Sequence, residues 1–381
     1  MQHIPYIEVI GKYTLQPIAL VEPSQIWGEL SYYDIGECEI YTQATPAALN
    51  ALKNGNYLKI PNKPYLWIIK TVRYTYNANG ARMISAKGYE AGKWLLTRRI
   101  IPYIWQLPTD LAAAIQQLAN KNLGSAAESY RKIAGFTPIQ GAFNVEIDAT
   151  QATRGNLWDF VANLLKANFC GSTQGYNNGA ITFTPIKGQD RTSSVIFSQS
   201  LDNLLNADYT ETSEDLRTYC QVVSTFTNND VQTDYVEQYP VADPTPTGQP
   251  QPNVGIDRSE ITIQSNLSNK YIQTDASGNP VIDPSTGKPK EIEVAPDSAT
   301  YKGWQRAEGR NTLSEHIIRT SFNGEIDLNY SPYVFGQDYF IGDVVKVKDE
   351  YFNYEANVRI LKYTFKQDSK GYGEEADYAT E

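Results

Sequence analysis

Tyr65-Leu66-Trp67-Ile68-Ile69-Lys70-Thr71-Val72-Arg73-Tyr74-Thr75-Tyr76 is followed by Asn77-Ala78-Asn79-Gly80, and then by Arg82-Met83-Ile84-Ser85-Ala86-Lys87. Two runs rich in β-branched and aromatic residues thus flank a short loop ending in Asn-Gly. That pattern predicts a β-hairpin, because Asn and Gly accept the backbone angles a tight reversal demands. Outward from the hairpin the strand character persists over residues 1–105. Two short helices are expected to interrupt it, one from Pro46 to Lys53, closed by Asn54-Gly55, and one from Glu90 to Leu96. The whole chain shares this bias: among 381 residues there are 27 Tyr and 12 Phe but only 2 Met and 2 His. Abundant Tyr, Thr, Val and Ile favour strands.

Residues 106–190 change character. Thr109-Asp110 offers a helix cap, and Leu111, Ala114, Ile115 and Leu118 recur on one helical face, with Gly124 as the stop. A second helix carries Leu157, Val161, Leu164 and Leu165. A loop is expected from Gly171 to Gly179, then a strand from Ala180 to Ile186. Helices beside a small sheet make this an α+β unit. Strands return at Ser194 to Phe197 and Tyr219 to Phe226. Pro240 to Pro252 reads as a loop, with turns at Ser277-Gly278-Asn279-Pro280 and Pro284-Ser285-Thr286-Gly287 and a helix from Asp297 to Glu308. Phe340 to Val347 and Val358 to Phe365 alternate apolar and polar, as half-buried barrel strands do. The last dozen residues are expected as a surface strand or a frayed end. The class is mainly β with an α+β insertion.

A length of 381 residues implies two or three domains. The formal net charge of −10 repels phosphate backbones and argues against sequence-independent nucleic-acid binding. Cys38, Cys170 and Cys220 are few, odd in number and widely separated, so buried free thiols and assembly in a reducing cytoplasm are expected. Met1 to Tyr6 contains no basic signal-peptide start, and the apolar stretch Tyr13 to Val21 is broken by Gln16 and Pro17. No window approaches the ~18 continuous apolar residues of a membrane span. A soluble protein without a membrane anchor is expected.

Catalytic patterns are absent. His3 and His316 have no nucleophile motif near them, and there is no HExxH, no Gly-x-Ser-x-Gly and no phosphate-cradling loop. Asp343, Asp349 and Glu350 could form a carboxylate pair for glycosidic chemistry, but 43 acidic residues make chance pairs inevitable. Tyr32-Tyr33, Tyr330-Tyr333 and Tyr351-Tyr354 could pack in a core, pack between subunits, or stack on sugars. Arg98-Arg99 reads as a local ion pair or an inter-subunit contact. No catalytic, metal or cofactor residue is assigned, and an enzyme is not expected.

Four stretches, in order, resemble the tail-tip hub family of siphophages, also called the tail-associated lysin family. The first is Cys38-Glu39-Ile40-Tyr41 with Ala47 to Ile60. The second runs from Trp67-Ile68-Ile69 through Gly88 to Ile100. The third is Ser194 to Thr212, where Asp202 stands at a position that is often Gly in the family. The fourth is Asp338 to Val345, ending in Arg359-Ile360. The resemblance implies two β-barrel-like domains plus an α+β domain, as in phage baseplate hub proteins. It divides the chain into 1–105 (first barrel-like domain), 106–190 (α+β), 191–235 with 311–365 (second barrel-like domain), 236–310 (insertion) and 366–381 (C-terminal extension). It implies a homotrimer at the virion tail tip that docks on a hexameric distal tail ring and closes or narrows the DNA channel until host attachment. Tape-measure and receptor-binding proteins are further possible partners, and DNA would pass without being specifically bound. Arg98, Arg99, Asn203, Gly342 and Asp343 would be structural or interface residues. The chain's end at Glu381 implies a short form without a lysin module. The rival expectation is a glycan-active tail protein, either a depolymerase or a carbohydrate-binding module.

Overall fold

The structure, a computed structural model, describes residues 4–61, 63–148, 150–177, 179–201, 203–228, 230–240, 255–275, 279–326, 332–351 and 354–380. The expected loop from Pro240 to Pro252 lies outside the described residues beyond Pro240 itself. His3, Asp202, Ser277, Gly278 and Tyr330 also lie outside them.

The first unit contains β1 (Ile7–Ile10), β2 (Pro17–Val21), β3 (Gln25–Ser31), β4 (Glu37–Gln43), α1 (Pro46–Ala51), β5 (Tyr57–Lys59), β6 (Leu66–Tyr76), β7 (Arg82–Glu90) and α2 (Ala91–Thr97). The predicted hairpin is β6–β7. Tyr76 pairs with Arg82, and the Asn77 side-chain oxygen accepts from the Asn79 and Ala81 N–H groups at 3.0 and 2.9 Å. The register shifts between Ile69 and Thr71, which bends the long strand and lets its first half pair with β5.

The α+β unit follows, with β8 (Ile100–Ile101), β9 (Trp105–Gln106), α3 (Leu111–Leu123), β10 (Phe136–Pro138), β11 (Gln151–Ala152), β12 (Gly155–Asn156), α4 (Leu157–Lys166), β13 (Gly171–Asn177) and β14 (Ala180–Ile186). Asp110 caps α3 through a 2.7 Å bond from the Ala113 N–H, and Leu111, Ala114, Ile115 and Leu118 are all buried. Gly171 to Gly179 corrects the expectation of a loop. Gly171–Asn177 is a strand that pairs along its whole length with β14. Its residues have low strand propensity, and the partner strand supplies what the local sequence lacks.

The remaining elements are β15 (Ile196–Ser198), β16 (Leu205–Thr212), β17 (Tyr219–Asn228), β18 (Val231–Tyr239), β19 (Glu260–Gln264), β20 (Lys270–Ile272), β21 (Glu291–Glu293), α5 (Ala299–Glu315), β22 (Arg319–Ile326), β23 (Val344–Asp349), β24 (Tyr354–Asp368) and β25 (Gly371–Thr380). Helix α5 runs two turns beyond the expected end at Glu308. Residues 366–380, expected as an extension that forms a surface strand or a frayed end, supply the end of β24 and all of β25, which pairs with both β24 and β22. Strand β17 does not join the β23–β24 sheet. It forms a separate sheet with β18 and β19, and the buried Cys220, Val222 and Ser224 lie on its inner side.

The barrel-like lobes are hydrogen-bonded into one sheet. Its order is β16-β22-β25-β24-β3-β4-β7-β6-β5-β1-β2, with β23 attached to β24 and β15 attached to β23. Strand β24 is the corner. A register shift between Ile360 and Lys362 separates its first part, which pairs with β23, from its second, which pairs with β3. One hydrophobic core spans both lobes and includes Ile26, Ile40 and Trp67 together with Phe197, Val358 and Phe365. The Trp67 and Phe365 rings meet edge to face at 6.0 Å. A second core, built on α2, α3, α4 and β14, holds the α+β unit.

Candidate assembly site

The lobes and the α+β unit meet at Tyr32, the residue after β3. It is fully buried, and its hydroxyl lies 3.2 Å from both the Phe169 and Ile186 carbonyl oxygens. Burial holds its phenol well above the ordinary tyrosine range. The Arg359 guanidinium sits 5.6 Å from the ring centre and donates to the Gly342 carbonyl at 2.6 Å. Gly342 closes the site from the second lobe. Its φ is +88°, and a β-carbon there would lie 2.2 Å from the Tyr32 ring. Gly188 passes so close that its β-carbon would lie 1.6 Å from the Gly342 oxygen.

Asp343 fastens the same linker. One carboxylate oxygen accepts from the Gln189 N–H at 2.7 Å, the other from the Phe340 N–H at 3.0 Å, and Arg191 Nε lies 3.6 Å away. Asp343 is buried and occupied by these partners, so it acts as a clamp. Asn203 does a similar task beside β15. It is fully buried, accepts from the Ser198 N–H at 2.8 Å and donates to the Ile196 carbonyl at 3.0 Å. This holds Phe197 in place against Tyr333, Tyr339 and Tyr378.

Arg98 and Arg99 do not act as one patch. Arg99 donates to the Arg131 carbonyl through Nε at 3.2 Å and Nη2 at 2.8 Å, tying α2 to the α+β unit. Arg98 is exposed and lies 5.3 Å from the Trp94 ring centre, which also carries Lys70 at 4.1 Å. Three of the five motif residues, Asn203, Gly342 and Asp343, are thus interior.

Of the carboxylate candidates, Asp343 stands apart, whereas Asp349 and Glu350 stay side by side against Gln199 and Ser200. Asp343 and Asp349 bracket β23, a separation on the order of 20 Å at the usual rise per strand residue. Paired glycosidase carboxylates need about 5–10 Å. Asp349 is buried and accepts from Gln199 Nε2 at 3.3 Å. Glu350 accepts from the Ser200 hydroxyl at 2.6 Å, which holds its carboxyl below the usual range. His316 caps the end of α5 and its carbonyl accepts from the Arg217 N–H. The three cysteines are buried and unbridged, and burial pushes the Cys170 and Cys220 thiols up to about 11. The Tyr32 and Tyr33 rings pack together at 4.8 Å in the interior, whereas Tyr351 is exposed.

The sequence offered Tyr32 as a possible core tyrosine and Arg359 as the end of the fourth stretch, but not their meeting with Gly342, and it did not offer the fully buried pair Glu90–Lys93. Lys93 Nζ is 2.9 Å from Glu90 Oε2 and donates to the Ser31 and Asp34 carbonyls, and Glu90 accepts from the Gly36 N–H at 2.7 Å. The pair pins the loop that presents Tyr32. Its one signal was a lysine three residues after a glutamate inside an otherwise apolar run.

The exposed apolar surface lies elsewhere. Strand β2 ends the large sheet and, among the described residues, pairs only with β1. Its Ile18 and Leu20 are 51% and 60% exposed. The tip of the β6–β7 hairpin exposes Tyr74 and Tyr76. Among the described residues no helix is long and apolar enough to cross a membrane.

Three solved structures share the fold along nearly the whole chain. A tail protein from Neisseria meningitidis MC58 matches with a TM-score of 0.54 at 11% identity, covering 99% of this chain and 96% of its own. The 43 kDa tail protein of prophage MuSo2 from Shewanella oneidensis matches with a TM-score of 0.55 at 12% identity, covering 98% and 96%. Prophage tail protein gp18 from Listeria monocytogenes EGD-e matches with a TM-score of 0.50 at 10% identity, covering 99% and 94%. No curated protein matches the sequence significantly. The profile of the siphovirus ReqiPepy6 Gp37-like proteins matches residues 11–230, more than half of the sequence. The chain belongs to the siphovirus ReqiPepy6 Gp37-like protein family.

Proposed function

We propose that this protein is a structural subunit of a siphovirus tail, a trimeric hub at the distal end that docks on the hexameric tail ring. The observation that carries the reading is the continuous sheet whose two lobes are locked at Tyr32, Gly342 and Asp343. Two similar lobes per subunit let three copies present six similar contacts. The lock keeps the lobes from turning relative to each other, as a load-bearing ring requires. The end-to-end match with tail proteins supports this fold assignment.

In this reading residues 1–90 form one lobe, residues 194–212, 319–326 and 344–380 contribute to the other, and the intervening segments, including the separate β17–β18–β19 sheet, decorate the ring. The trimer narrows the DNA channel until the tail meets its host, and the virion tail tip is its location. The role is read as non-enzymatic: Asp343 lies a whole strand from Asp349 and Glu350, and all three acids are held by hydrogen bonds.

The edge of β2, which among the described residues pairs only with β1 and whose Ile18 and Leu20 side chains are exposed on the adjoining face, is the proposed seam with the neighbouring copy, since an open strand edge invites a further strand. Light scattering on the eluting protein tests the assembly. A mass three times the 42.7 kDa chain is expected at micromolar concentration. A monomer there, even with tail ring protein present, refutes the hub.

A further inference from the structure

A groove of about 350 Å³ runs between the N-terminal segment, the β5–β6 loop and the β24–β25 hairpin. Pro5, Tyr6, Pro61, Lys63, Tyr65 and Tyr372 form its walls over a floor of Tyr363 and Phe365. The floor is buried, but the walls reach solvent. Pro5 is exposed, Tyr6 is 37% exposed, and the other four are half-buried.

The walls are held in place by contacts behind them. Gln367 is 6% exposed and takes both backbone groups of Ile4, accepting from its N–H at 2.7 Å and donating to its carbonyl at 3.1 Å. That pair of bonds sets the course of Pro5 and Tyr6. Tyr65 meets Trp67 edge-on at 6.2 Å, and Tyr363 stacks on Phe335 at 3.6 Å. The Tyr372 hydroxyl donates to Glu374 at 2.8 Å. The lining residues carry no carboxyl and no side-chain amide, so their side-chain polar groups are tyrosine hydroxyls and the Lys63 ammonium. Among the described residues Lys63 has no carboxylate partner. Aromatic-lined grooves of this kind hold extended proline-rich peptides, whose fixed backbone loses little entropy on binding.

The chain itself carries such a peptide. Residues 240–252 contain five prolines, no aromatic residue and one charged residue, Asp243, which is opposite in sign to Lys63. Residues 241–254 lie outside the described residues, between Pro240, which follows β18, and Gly255, which precedes β19. A stretch of that length tethered at both ends reaches on the order of 20 Å from its sheet. That sheet, β18-β17-β19, is separate from the one that bears the groove.

We propose that the groove binds the proline-rich segment of a neighbouring copy, with proline rings against Tyr6, Tyr65 and Tyr372 and Asp243 paired with Lys63. Each copy then lends one segment and receives one, the head-to-tail arrangement that closes a ring. The inference rests on the hub reading only for the presence of a neighbour.

The test uses a synthetic peptide of residues 240–252 and the full chain carrying Pro244→Ala, Pro246→Ala and Pro250→Ala, so that the receptor's own segment does not compete. The peptide is expected to bind with a Kd on the order of 100 μM. A peptide with all five prolines replaced by alanine should bind at least about tenfold more weakly, and one with Asp243→Asn about threefold more weakly. Tyr6→Ala in the receptor should weaken binding about tenfold. Lys63→Glu, also on the surface, should weaken it too and keeps the test open if the Tyr6 variant does not fold. For the source of the segment, chains with Lys63→Cys are mixed with chains with Asp243→Cys under mild oxidation. A two-chain disulfide product is expected, and the three native cysteines are buried. The proposal is overturned if the alanine peptide binds as well as the parent, if Tyr6→Ala in a folded protein leaves binding unchanged, or if the two thiols join only when both are placed in one chain. A trimer that ignores the peptide sinks this proposal and spares the hub, whereas a monomer that binds it sinks the hub and spares the groove's choice of peptide.

Discussion

Gly342 combines two demands that a side chain cannot meet, a left-handed backbone angle and contact with the Tyr32 ring. Gly342→Ala is therefore expected to cost on the order of 3 kcal/mol or more, read as a lower urea midpoint. Lys93 is a residue of a different kind. Its charge is fully buried and matched by Glu90 and two carbonyls. Lys93→Met strands the Glu90 carboxylate and should cost about 3–5 kcal/mol, whereas Glu90→Gln combined with Lys93→Met should recover much of that loss. Equal loss in the single and double variants would show that the two charges are not coupled. Gly342 and Asp343 were visible in the sequence as a turn into a strand. The Tyr32 partner was not, because it lies more than 300 residues away in the chain.

Among the elements, α3 and β13 mark the two extremes of what sequence reveals. The bounds of α3 were legible because its cap, its apolar face and its stop are all local. Strand β13 was read as a loop because Gly, Ser, Gln and Asn carry no strand preference, and only pairing with β14 makes it one. Helix α5 lies between the two. Its start was legible, but its last two turns are polar and are held by the sheet beside it and by its neighbour α4. Glu308, just before those turns, is raised above the usual carboxylate range by burial, with the Ser265 bond pulling the other way. The unfolded chain therefore gives up this proton first as pH rises. The stabilising contribution is full below about pH 4.3 and disappears as pH climbs through the folded-state value. Glu308→Gln should raise the urea midpoint relative to the parent near about pH 7 and leave it unchanged near about pH 4. An equal shift at both pH values would place its cause outside this titration.

At the scale of the molecule, the two lobes share one core and one corner strand, and among the described residues β2 ends the sheet with apolar side chains exposed. Leu20→Glu puts a charge on that edge at a position already 60% exposed in the single chain. If the protein assembles as the proposed trimer, the expected result is a shift to monomer in light scattering, with the melting temperature of the monomer within a degree or two of the parent, since exposed sites contribute roughly ±0.5 kcal/mol. A trimer that survives this change would move the seam away from β2. The exposed tyrosines at the hairpin tip then become the next surface to test.

The sequence alone determined the mainly β class, the long hairpin and the capped helices, because each depends on neighbours a few residues away. Only the tertiary structure decided that the lobes share one sheet, that the C-terminal residues complete it, and that Asn203, Gly342 and Asp343 face inward. Those outcomes depend on which strand finds which partner across hundreds of residues. That choice is made by packing volume and by the need to pair buried polar groups, and neither is written in any local stretch of the chain.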